Sequence, residues 1–107
     1  MPEKIISYIG FAIRARKVKL GVNAAQTAKQ GMIKLIVLCH TASENTVKET
    51  ISLAKKHHSK IVVSKTHLVE DIVCKSNCKL IALLDKGLAK AVLDNLNENF
   101  VILEAEI

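Results

Sequence analysis

Tryptophan is absent from the chain, and Tyr8, Phe11 and Phe100 are its only Phe, Tyr or Trp residues. That scarcity argues against single-strand nucleic-acid binders, which stack bases on aromatic platforms. Cysteine occurs three times, an odd number, and a core of this size needs no disulfide framework. The longest apolar runs, Leu35–Cys39 and residues 80–84, are far short of the ~18 residues a membrane span requires. The N-terminus lacks the basic-then-apolar pattern of a secretory leader, so the chain reads as mature protein with the cytoplasm as its expected location. Linkers, internal repeats and low-complexity segments are missing as well. So are the dinucleotide fingerprint G-x-G-x-x-G, the phosphate loop G-x-x-x-x-G-K-[ST] and the nucleophile elbow G-x-S-x-G.

What is present is apolar and basic. Half of the 107 residues are apolar, enough for one folded domain over residues 1–107 with an ordinary core. The net charge is +6, and it is uneven along the chain. Residues 1–60 hold 11 basic and 3 acidic side chains, while residues 61–107 hold 5 basic and 7 acidic ones. Arg14, Arg16, Lys17 and Lys19 form the densest cluster, and Asp94, Glu98, Glu104 and Glu106 leave the last fourteen residues without a cation. A one-sided basic surface attracts a polyanion through phosphate contacts and counterion release. A solvated lysine-rich surface explains the same composition.

Periodicity predicts alternating helices and strands. Ile5, Ile6, Ile9, Ala12 and Ile13 mark a helix over residues 3–16. Residues 17–21 are a link or a short strand. Asn23 is placed to cap a helix over residues 24–29 with Ala24, Ala25 and Ala28 inward, and Gly31 fits just past its end. Leu35–Cys39 reads as a strand buried on both faces. Ser43 caps a third helix carrying Val47, Ile51 and Ala54. Residues 61–63 form a strand, Thr66 caps a short helix, and residues 80–84 form another buried strand. Asp85 precedes a last helix with Leu88, Ala89, Val92, Leu93 and Leu96 on its core side. Residues 100–103 are a final strand or a packed tail. This order specifies an α/β protein, a single-domain α-β-α three-layer sandwich around a small mixed sheet.

Two weak chemical signals remain. Asp85 follows a buried strand, where α/β enzymes place catalytic groups, but a carboxylate capping the last helix is the favoured reading. Cys74 and Cys78 lie four apart with His67 nearby, yet zinc sites use paired short-spaced ligand sets and redox motifs use C-x-x-C. No catalytic residue, metal site, cofactor or small-molecule substrate is therefore expected.

The stretch 17–25 carries the functional reading. A basic run enters Gly21, and the amide of Asn23 stands at a helix start. Glycine permits close backbone approach, and an amide can both donate to and accept from a base edge. Arg14, Arg16, Lys17, Lys19 and Lys29 are placed to hold phosphates, with Lys75 and Lys79 bordering the site from a loop at the same sheet end. Arg14 and Arg16 could instead lie on the outer face of the first helix. On these residues alone, the favoured reading is that Gly21 only turns the chain and Asn23 only caps.

The chain resembles the kink-turn RNA-binding superfamily of ribosomal protein seven-Ae, and above all its small bacterial YlxQ-like branch. Residues 9–17 are similar to that branch's "LGLAxRAGK" start, and Gly21-Val22-Asn23-Ala24-Ala25 to the superfamily's "G-[TA]-N-E-[AV]" loop. Residues 34–38 with Ala42-Ser43-Glu44-Asn45-Thr46 resemble "KLVLLAxDASENT", and residues 84–90 resemble "VTDKGFAK". The four motifs fall in order across residues 5–93. The resemblance implies an α-β-α sandwich without enzyme activity that binds sharply bent RNA internal loops with sheared G·A pairs. It implies Gly21 and Asn23 at those pairs, with Asn23 on a guanine edge. The chain departs from the pattern at Ala24, Thr27, Thr41, Leu68-Val69 and Lys75-Ser76-Asn77. Structured RNA, with ribosomal RNA as a candidate, is thus the expected partner, and no membrane is. A protein-interaction adaptor of the same fold is the alternative.

Overall fold

A computed structural model describes residues 3–103. Its elements run α1 (Lys4–Arg14), β1 (Val18–Leu20), α2 (Val22–Ala25), β2 (Leu35–Cys39), α3 (Glu44–His57), β3 (Lys60–Ser64), α4 (Val69–Val73), β4 (Leu80–Leu83), α5 (Lys86–Asp94) and β5 (Phe100–Ile102). Strand order across the sheet is β1-β4-β2-β3-β5. Only β2 and β3 run parallel, with Leu35 opposite Lys60, and the other three pairs are antiparallel. Among the described residues no helix is long and apolar enough to cross a membrane. Glu104 and Glu106 of the acidic tail lie outside the described residues.

Strand alternation splits the core in two. Leu35, Val37 and Cys39 of β2 pack with Ile81 and Leu83 of β4 against Ile5, Ile9 and Ala12 of α1, Val69 of α4 and Val92 of α5. Ile36, Leu38, Leu80 and Ala82 face the other way, onto Ala25 of α2 and Leu53 and Ala54 of α3. Both faces are covered, which is why β2 and β4 read as unbroken apolar runs. The result is the expected three-layer α/β sandwich on a mixed sheet. Its radius of gyration, 12.2 Å, is that of one compact body.

Several element boundaries differ from expectation, each for a local reason. α1 stops at Arg14, because Arg16 turns left-handed at φ 58° and the amides of Arg16 and Lys17 close onto the carbonyls of Ile13 and Ala12. Residues 17–21 resolve into β1 and a turn. Asn23 does not cap α2; Gly21 holds that position, and α2 is four residues long rather than extending over 24–29. Ala25 and Ala28 are nonetheless buried, because single turns continue the chain after α2. Leu68, not Thr66, precedes α4, without a side-chain cap. Ser43 and Asp85 cap as expected, accepting from the amides of Thr46 and Leu88 at 3.1 and 3.0 Å. Residues 100–102 are a strand.

His57 closes α3 and is 5% exposed. Its Nδ1 accepts the amides of Gly31 and Ile33 at 3.0 and 3.4 Å, tying the α2–β2 connection to α3. Nε2 is buried without a partner. Burial pushes the imidazole pKa below its ordinary value, with Lys56 and Lys34 adding to the shift. Below its ordinary range the unfolded chain therefore takes the proton more readily than the folded one. Stability from this group is complete above about pH 6.5 and falls as the pH drops below it. The urea midpoint should decrease from pH 7.5 to 5.5, and His57→Ala should flatten that decrease while costing about 1–3 kcal/mol for the two orphaned amides.

Candidate nucleic-acid interface

Gly21 lies between β1 and α2 at φ 87°, ψ 161°, a region essentially reserved for glycine. Its amide donates to the Leu80 carbonyl at 2.8 Å, which ties the turn to the start of β4. Its carbonyl accepts the Ala25 amide at 3.0 Å, which starts α2. The abrupt turn leaves Asn23 exposed in the first turn of α2. Since α2 is so short, its summed peptide dipole is small, and what it offers a ligand is local hydrogen bonding.

Beside this turn lies an open depression of about 450 Å³. Gly21 and Asn23 line one side, Lys75, Asn77 and Lys79 the second, and Thr46 and Glu49 of α3 the third. Glu70 of α4 fixes the second side. Its Oε1 accepts from Lys79 Nζ at 2.6 Å and its Oε2 from the Asn77 amide at 2.8 Å. The Lys79 hydrogen bond, then the Asn77 amide, hold the Glu70 carboxyl below its usual pKa, and the same contact holds Lys79 above its own. Lys79 also donates to Thr41 Oγ1 at 3.1 Å, and that hydroxyl lies 3.1 Å from Cys39 Sγ. Burial raises the Cys39 pKa, but hydrogen bonds from Thr41 and Val69 and the charge of Lys79 outweigh it, leaving a net lowering.

The expected site residues do not all meet here. Gly21, Asn23 and Lys75 share the depression. Lys19 pairs with Ala82, so its side chain lies on the sheet face that α2 and α3 cover. Arg14, Arg16 and Lys17 stand at the other end of β1. The Lys17 carbonyl accepts from the Leu84 amide, whereas Gly21 bonds Leu80. Four residue steps along the strand separate those ends, roughly 13 Å. Lys29 also lies at that far end, near the Gly31–His57 bond. The grouping of all these cations around one cradle is therefore corrected to two separate ends of the sheet. Around the depression, Lys79 is paired with Glu70 and Glu49 offsets the exposed Lys75.

Sequence reasoning missed Glu49, Asn77 and Glu70 as parts of the site. Glu49 follows Thr46 by one helical turn. Asn77 is left-handed at φ 61°, a conformation asparagine tolerates, and its loop position was the available signal. Among the described residues no cluster of three or more His, Cys, Asp or Glu is arranged to hold a metal. Cys74 is exposed while Cys78 is buried with its thiol toward the Leu80 carbonyl.

No family model matches the chain, and no curated protein matches it. Among solved structures, a protein of unknown function from Bacillus halodurans is similar at TM-score 0.71. It is 22% identical, and the match covers 87% of this chain and 96% of the other. That likeness establishes a shared fold.

Proposed function

We propose that this protein binds structured RNA of the sharply bent, kink-turn kind, seating it on the depression between Gly21 and Lys75. The supporting observation is the Gly21 turn, which holds an exposed Asn23 amide beside a loop braced by Glu70. The motif resemblance supports the same reading. In it, Asn23 reads a purine edge, the Gly21 backbone permits close approach, and Lys75 meets a flanking phosphate. The activity is binding rather than catalysis, and a ribosome-associated RNA in the cytoplasm is the partner.

Titration of a kink-turn RNA and an unbent duplex in a filter-binding assay, over a salt series, tests this. The bent RNA should bind more tightly, and Asn23→Ala should weaken it by about 1–3 kcal/mol while leaving the unbent duplex unaffected. Equal affinity for both RNAs, with no effect of Asn23→Ala, would defeat the proposal. A second reading, a protein-interaction adaptor, is favoured by the charge balance around the depression, which Glu49 lines along with Lys75 and where Glu70 neutralises Lys79. It requires no RNA affinity even at low salt.

A further inference from the structure

The densest positive charge lies away from that depression, at the opposite end of the sheet. Four adjacent strands each carry a lysine there. Lys17 precedes β1 and bonds Leu84 through its carbonyl at 2.8 Å. Lys86 follows β4 and opens α5. Lys34 precedes β2, its amide bonded to the Leu83 carbonyl at 2.7 Å. Lys60 opens β3, opposite Leu35. In sheet order β1-β4-β2-β3 these make a row. At about 4.8 Å between strands it is roughly 14 Å long. Arg16 extends it beyond β1.

All five side chains belong to exposed residues. Among the described residues the ion pairs are Lys79–Glu70 and Lys90–Asp94, and neither includes any of the five. Among the described residues Asp85 is the carboxylate beside the row, and it is engaged in capping α5 through the Leu88 amide. Neighbouring strands lie within a Debye length at physiological salt, so these charges reinforce one another's field. Fold stability does not account for the row. Lys34 alone of the five makes a side-chain hydrogen bond, to the Gly31 carbonyl at 2.7 Å. Mutual repulsion among clustered cations opposes folding, and attraction of an external polyanion is a physical use that offsets this cost.

We infer that this end of the sheet is a second nucleic-acid contact, gripping the phosphate backbone of duplex RNA without reading its sequence. It depends on the proposed function only in taking RNA as the polyanion. Because the row sits across the molecule from Asn23, one protein can hold a bent loop at one end and a helix at the other. A flat cation row without aromatic side chains suits a regular duplex better than splayed single strands.

The test is fluorescence anisotropy with an unbent RNA duplex, from low to physiological salt, on the full chain. The double variant Lys60→Glu/Lys86→Glu changes two exposed side chains that no described hydrogen bond uses. It should weaken duplex binding at least tenfold at low salt and lower the log–log salt slope by about 2, with an unchanged circular dichroism spectrum. Lys17→Gln/Lys34→Gln should act in the same direction, so the test survives a folding failure of either variant. Asn23→Ala should leave duplex binding intact. Unchanged duplex affinity in the folded charge variants overturns the inference. So does tighter binding to phosphatidylserine vesicles than to the duplex at the same salt. Failure of the kink-turn reading shows separately, as equal affinity for bent and unbent RNA.

Discussion

Replacing Phe100 with alanine should remove about 3–5 kcal/mol of unfolding free energy. Phe100 is fully buried and opens β5, the edge strand beside β3. Its ring fills the core beneath α1 and α5 and stacks on His67 at 5.8 Å between centroids, with 16° between planes. The strand has three residues and borders only β3, and Phe100 is its fully buried residue. Truncation leaves a cavity the size of the ring and frees the β3 edge. Domains of this size hold about 5–15 kcal/mol in total, so a large share goes with one side chain. The urea midpoint should drop with an unchanged slope. Phe11→Ala is the control. That ring is 50% exposed, with Arg14 4.9 Å from its centroid, and its loss should cost below about 1 kcal/mol.

The layers of the fold were legible because burial imposes a pattern. Residues 35–39 and 80–83 face helices on both sides, so they could not alternate with polar residues, and the unbroken runs revealed it. Ser43 and Asp85 were legible as caps because a short oxygen-bearing side chain before an apolar stripe has few other uses. Helix ends were harder to place. α1, α3 and α4 stop with left-handed Arg16, His58 and Cys74, where glycine is the readable signal. These residues adopt φ between 53 and 58° because amide bonds back to the last turn hold them there.

The candidate site was half legible. Gly21 and Asn23 are near in sequence and stay near in space, and Lys75 joins them because loops at one sheet end gather. The cluster from Arg14 to Lys19 looked continuous with Gly21, but β1 carries the chain from one end of the sheet to the other between them. An extended strand turns four residues of sequence into roughly 13 Å of separation. The Glu70 clamp was hidden for the opposite reason. Its partners Asn77 and Lys79 are seven and nine residues away, and only the turn after α4 brings them back.

Gly21→Ala tests the turn and the proposed site together. The Cβ itself meets nothing within 4 Å, so the added methyl does not clash. The whole penalty comes from φ 87° with ψ 161°, a backbone state that costs an alanine about 1–3 kcal/mol. The variant must either bear that cost or relax toward negative φ. Relaxation would weaken the amide bond to Leu80 and the carbonyl bond to Ala25, and would swing Asn23 away from the Lys75–Asn77 loop. If Gly21 and Asn23 form the RNA seat, kink-turn affinity should fall at least as far as with Asn23→Ala, and the urea midpoint should decline as well. Gly31→Ala separates the two effects. It shares a positive φ, 85°, and open space, but lies at the far end of the sheet. It should lower stability comparably while leaving kink-turn binding intact, so equal losses of binding in both variants would remove Gly21 from the site.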